Sequence, residues 1–247
     1  MASYICFSFR YSSRKTLLDK RIAYKSLALF GKSEKKVIII FIVLGYILTF
    51  LIPNSMARLS MLLPISQGVI DSIKSKNKEN FRKALILTIT FVPYITTVAI
   101  ITGASGSIYA AGLFEATLDY QWGYLYWLLL ISPITIFTLI ILWFSLNYWF
   151  PLNNAEKMNT VLFHTKLNNM GKVKKTEKKL IAIYLVLILG WVTNEWHTIS
   201  ISMVSLVAMI ILFLPGIEII KWEEARKEGR LGSSNTFCSW ISYRISF

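Results

Sequence analysis

The sequence predicts an all-α integral membrane protein with one re-entrant helical hairpin and about four transmembrane helices. Three observations carry that reading. Of the 247 residues, 55% are hydrophobic and only 16% charged, with a mean hydropathy of +0.53, and the apolar residues are gathered in long uncharged runs. Lysine and arginine fall in clusters between those runs, as they do in cytoplasmic membrane loops. Within Val37–Ile73, two uncharged arms, Val37–Ile52 and Met61–Ile70, flank a polar break, Pro53-Asn54-Ser55. Polar backbone at membrane depth is costly unless it lines a cavity, so such a break marks a candidate site.

The same numbers exclude other classes. A net charge of +14 is compatible with nucleic acid, but the basic residues do not gather on one domain, so no nucleic-acid partner is expected. Cys6 and Cys238 stand near opposite ends, and His164 and His197 lie in no metal-binding pattern. No metal beyond a coupling ion and no organic cofactor is expected. Met1–Ser13 lacks the order of a signal peptide.

Residues 1–36 form a basic cytoplasmic or interfacial segment. Within it Thr16–Gly31 reads as an amphipathic helix, with Leu18, Ile22 and Leu27 roughly on one side; it either lies on the membrane surface or serves as a solvated connector. The hairpin follows over 37–73 and is flanked on both sides by cations, which places both of its ends in the cytoplasm. An arm of about 16 residues reaches roughly 24 Å, short of the roughly 30 Å hydrocarbon core, which favours re-entry over two full spans. Arg58, just past the break, either attracts an anion or snorkels and pairs with a backbone carbonyl at a helix end.

Residues 84–150 hold a broken helix and a following span. Ala84–Leu113 is uncharged and longer than one straight span requires. Thr102-Gly103-Ala104-Ser105-Gly106-Ser107 should interrupt it; interrupted helices bind substrates and ions in secondary transporters, whereas small residues alone equally make a helix-packing face. Phe114–Trp122 reads as an outer loop, and Gly123–Phe150 as a returning span with a kink at Pro133. A basic cytoplasmic connector covers 151–179. Residues 180–220 supply two more spans, Leu180–Asn194 and Ile199–Leu214, and a tail covers 229–247. The loop charges alternate consistently with a multi-pass cell-membrane protein whose two termini are cytoplasmic. Asp71, Glu195, His164 and His197 sit at helix ends or in loops and read as solvated.

Several stretches resemble the divalent anion/sodium symporter family of citrate, dicarboxylate and sulfate permeases. Ile52-Pro53-Asn54-Ser55-Met56-Ala57-Arg58 through Met61-Leu62-Leu63-Pro64-Ile65 is similar to the family's first Ser-Asn-Thr hairpin, and Thr102–Leu113 resembles the broken-helix loop after it. Gly190-Trp191-Val192-Thr193, Leu214-Pro215-Gly216-Ile217 and Trp222-Glu223-Glu224-Ala225 resemble the opening of the second inverted repeat. The resemblance implies an inverted-repeat, sodium-coupled transporter for a small anion that is a homodimer at full length. It implies that Asn54 and Ser55, with Arg58 beside them, contact the substrate. Asn54, Ser55, Gly103, Ala104 and Ser105 would surround a coupling sodium. Pro53 stands where the family has serine, removing one hydroxyl and one N–H.

Family members are about twice this long and carry a second hairpin that these residues lack. The expectation is therefore a truncated or frame-disrupted piece, incompetent alone unless a second polypeptide supplies the other half. With suitable synonymous codons, Gly229–Ile241 read one base later gives an apolar VDWVVVILFAVG, and Cys6–Arg14 behaves similarly, so residues 1–14 and the tail fit out-of-frame translation. The alternative function is a non-catalytic membrane fragment or half-transporter subunit. An enzyme is not expected, because no nucleophile–base pair occupies an apolar segment at workable spacing.

Overall fold

A computed structural model describes residues 18–31, 33–52, 54–71, 78–152, 161–171, 174–193, 196 and 201–213. Pro53, Glu195, His197, the tail 229–247 and residues 1–14 lie outside the described residues, as do the motifs at 214–217 and 222–225. Among the described residues the chain is all-helical: α1 Leu18–Phe30, α2 Glu34–Leu51, α3 Ser55–Asp71, α4 Lys78–Thr97, α5 Ser105–Leu118, α6 Tyr124–Trp149, α7 Val161–Asn169, α8 Lys175–Val192 and α9 Ile201–Phe213.

Helix α4 lies against both α2 and α3 along much of their length, while α2 and α3 touch each other far less. Gly45 sets the closeness of the α2–α4 contact: a methyl group there would run into the Val92 side chain. Small residues of this kind let membrane helices approach without a hydrophobic driving force. Val37, Phe41, Leu44, Leu62, Phe81 and Leu85 are buried in the resulting core. A second core joins Ile100 and Ile101 to the start of α6 and to α8 and α9, through Tyr124, Trp127, Leu187 and Trp191. The Trp191 indole N–H donates to Ser205 Oγ at 3.1 Å and ties α8 to α9.

Helix α1 is neither a free surface helix nor a bare connector. Ala23, Leu27 and Ala28 are buried, and the helix packs on α7 and α2. Arg21 turns inward from it: Nη1 and Nη2 donate to the carbonyls of Gly171 and Met170 at 2.7 and 3.0 Å, and Nε lies 2.9 Å from Glu177 Oε2. Gly171, at φ +65°, ends α7 in the left-handed conformation that glycine adopts without steric cost. Burial holds the Tyr24 phenol above its usual pKa, and the Lys166 ammonium lies 5.6 Å from the centre of that ring.

Two boundaries differ from the sequence reading. α5 continues to Leu118, so the connection to α6 is 119–123 and not 114–122. Pro133, where a kink is expected, lies within α6. Within 151–179, residues 161–169 form α7, and α8 begins at Lys175. Among the described residues one helix, α6, is long and apolar enough to cross a membrane by length and composition; Met203–Leu212 of α9 is apolar but shorter. α2, α4 and α8 each begin with a charged turn, which shortens their apolar stretches.

Candidate functional site at two helix interruptions

The chain stops being helical between α2 and α3 and again between α4 and α5. The first gap is short. Asn54 N–H donates to Ile52 O at 2.8 Å, and Asn54 Oδ1 accepts from Ala57 N–H at 3.0 Å. Asn54 is thus the side-chain cap of α3, which explains why an asparagine suits the tip. With Oδ1 holding the cap through one lone pair, the Nδ2 amide is the side-chain donor suited to an anion. Ser55 is the first residue of α3, at the positive end of its dipole.

The second gap runs from Val98 to Ala104, starting upstream of the small-residue cluster. Ser105, Gly106 and Ser107 open α5 instead of interrupting it. The reason lies in the last turn of α4, where Thr96 and Thr97 bond back to the carbonyls of Val92 and Pro93 at 2.8 and 2.5 Å. Gly103 is required here, because a side-chain carbon would collide with the Thr97 carbonyl oxygen. The Trp127 indole N–H holds the gap from α6 by donating to Val98 O at 3.1 Å. The Thr102 hydroxyl is buried with no partner among the described residues. Sequence reasoning placed Thr102 in the break but assigned it no role, since only three-dimensional burial shows its hydroxyl to be unsatisfied.

Arg58 joins the two interruptions. It is fully buried, in the first turn of α3. Its guanidinium donates to Gly45 O at 3.2 Å and to Thr49 Oγ1 in α2; in α4 it reaches Pro93 O and Thr96 Oγ1, both at 2.8 Å, and Thr97 Oγ1. All five acceptors are neutral oxygens within the last two turns of α2 or the last turn of α4, where the helix dipoles are negative. The cation therefore lies between two helix C-termini, and its side chain is turned into the α2–α4 contact. On the far side of each gap a helix N-terminus, at Ser55 and at Ser105, offers free N–H groups. The arrangement presents hydroxyl, amide and backbone oxygens suited to a small cation, and N–H donors suited to an anion.

A model of the sodium:sulfate symporter transmembrane region matches residues 3–238, bounds that take in most of 1–14 and the first part of the tail. The chain is similar to a "Membrane protein" of Cupriavidus necator, with 27% identity over 92% of this chain and 45% of that one. It is 25% identical to "Inner membrane protein YbhI" of Escherichia coli over 86% of this chain and 45% of the relative. It is 24% identical to "Sodium-dependent dicarboxylate transporter SdcS" of Staphylococcus aureus over 85% and 45%. The chain spans about half the length of the curated relatives it matches. It is a membrane protein and not an enzyme, and by a match over nearly its whole length it belongs to the sodium:sulfate symporter family.

Proposed function

We propose that this chain carries one half of the binding site of a secondary transporter for a di- or tricarboxylate or sulfate, coupled to sodium. The supporting observation is Arg58, which fastens α2 to α4 at the two interruptions and so brings Asn54-Ser55 and Thr102–Ser105 into one region. In this reading an oxyanion accepts hydrogen bonds from the Asn54 amide, the Ser55 hydroxyl and the N–H groups that open α3. Sodium is taken by oxygens of Asn54, Ser55, Gly103, Ala104 and Ser105, and Thr102 adds its unsatisfied hydroxyl. Arg58 acts on the anion by its charge and by holding the tip in place; its Nη donors are engaged with the protein. Both ends of the α2–α3 hairpin face the cytoplasm, as do both chain termini.

The coverage of the relatives, 45% of each, favours a second reading for the chain in isolation: a half-transporter subunit that binds but does not carry its substrate until a second polypeptide supplies the facing half. Vesicles containing only this chain separate the readings. Sodium-dependent uptake of labelled succinate, citrate or sulfate that disappears in Asn54→Ala supports transport. Sodium-dependent binding without uptake supports the half-transporter. Neither binding nor uptake, with the helices shown to be packed by the Gly45–Val92 cross-link described in the Discussion, overturns the site.

A further inference from the structure

Between α2 and α6 runs a groove of about 320 Å³ lined entirely by apolar side chains, among them Ile39, Val43, Ile136, Ile140 and Trp143. It is not part of the site above. Tyr46 and Ser132 are hydrogen-bonded through their hydroxyls at one end, and Ile39 and Trp143 line the other, so the two helices run antiparallel along it.

The Trp143 end has polar features that its apolar lining does not use. Lys35 precedes Ile39 by four residues and Tyr46 by eleven, the spacing of one helix face; Lys36 precedes Ile39 by three and Val43 by seven. Two ammonium groups therefore flank the groove one turn beyond its end. On α6, Asn147 follows Trp143 by one turn and donates from Nδ2 to Trp143 O at 2.8 Å. The Trp143 indole N–H and Asn147 Oδ1 are buried, and neither has a partner among the described residues. Both are sealed within the protein and add no polar surface to the groove, so the two cations are the polar groups offered at this end.

We propose that this groove holds an acyl chain of an anionic phospholipid. The phosphate sits between Lys35 and Lys36. Charge complementarity selects the occupant, since a purely apolar chain would leave both lysines unused. The dimensions agree: from Tyr46 to Lys35 is roughly 16 Å along the helix, about the depth of one leaflet. The topology proposed above puts Lys35 in the cytoplasmic leaflet, which is the anionic one.

The test is lipid retention. The chain is placed in nanodiscs of equal phosphatidylglycerol and phosphatidylcholine with matched acyl chains, then extracted and weighed by native mass spectrometry. Phosphatidylglycerol should be retained in excess, falling roughly fivefold for each lysine removed in Lys35→Gln and Lys36→Gln. Ile140→Trp should fill the groove and abolish it, and Lys25→Gln on the exposed face of α1 should leave it unchanged. Equal retention of the two lipids, or an excess indifferent to both lysines, overturns the proposal. A dimer that Ile140→Trp dissolves also overturns it, assigning the groove to a second copy of the chain. The topology is read separately, from whether Lys36→Cys reacts with an impermeant maleimide only after vesicles are opened. Labelling from outside would refute the orientation, while the lipid ratio would still decide the site.

Discussion

Two arginines close gaps between helix ends in this protein, under different conditions. Arg58 has no exposed surface and is met by neutral carbonyls and hydroxyls at the ends of α2 and α4. Arg21 keeps 13% of its side chain exposed, caps the end of α7 through two carbonyls, and meets a carboxylate, Glu177, that is itself only 2% exposed. Where water is absent, the helix dipoles and five oxygens share the compensation of one charge. Near the aqueous connector a single acid and two carbonyls are enough. The first arrangement depends on every acceptor staying in place, and the second tolerates adjustment by solvent.

The comparison breaks if the two positions respond alike to truncation. Arg58→Ala should be the costliest change, about 3 kcal/mol, because it leaves several buried oxygens without donors and a cavity between α2 and α4; thermal unfolding in detergent reads this. Arg58→Lys should recover only part, since one ammonium cannot reach both helices as a planar guanidinium does. Gly103→Ala should come next, at about 2 kcal/mol, because its methyl group has no room beside the Thr97 carbonyl. The same variant should lose sodium-dependent anion binding if the second interruption belongs to the site.

Arg21→Ala should cost about 1–2 kcal/mol, and the penalty should shrink at high salt, where a partly exposed pair is screened. The exchange Arg21→Glu with Glu177→Arg should restore part of it, which a double-mutant cycle measures. Salt should barely change the Arg58→Ala penalty. Asn54→Ala should be the smallest in stability, about 1 kcal/mol for the lost cap, and Asn54→Asp should keep the cap while repelling an anion. The two Asn54 variants thus separate folding from binding.

The first interruption was legible because its signal is local: a proline, an asparagine that caps, and a serine, set between uncharged arms. The second was legible as an event but misplaced by several residues. Gly103 and the hydroxyls announce a break, yet its start depends on how Thr96 and Thr97 bond within α4 and to Arg58, a residue 38 positions away. The inward turn of Arg21 was invisible for the same reason, since its partners lie about 150 residues on. Arg58 shows the limit most clearly. The sequence offered an anion-attracting charge or a pairing with a carbonyl at a helix end, and the structure describes bonds to the carbonyls and hydroxyls of two helices. The unsatisfied hydroxyl of Thr102 is readable only from burial.

The central claim is that Arg58 fastens the two interrupted helices to each other. A methyl group at Gly45 would lie 3.4 Å from Val92 Cβ, close to the separation that a disulfide spans. The direct measurement is therefore oxidation of a Gly45→Cys, Val92→Cys chain in which Cys6 and Cys238 are replaced by serine. The account predicts rapid, nearly complete cross-linking with Arg58 present and a severalfold slower reaction in Arg58→Ala. Equal rates in the two backgrounds would contradict it.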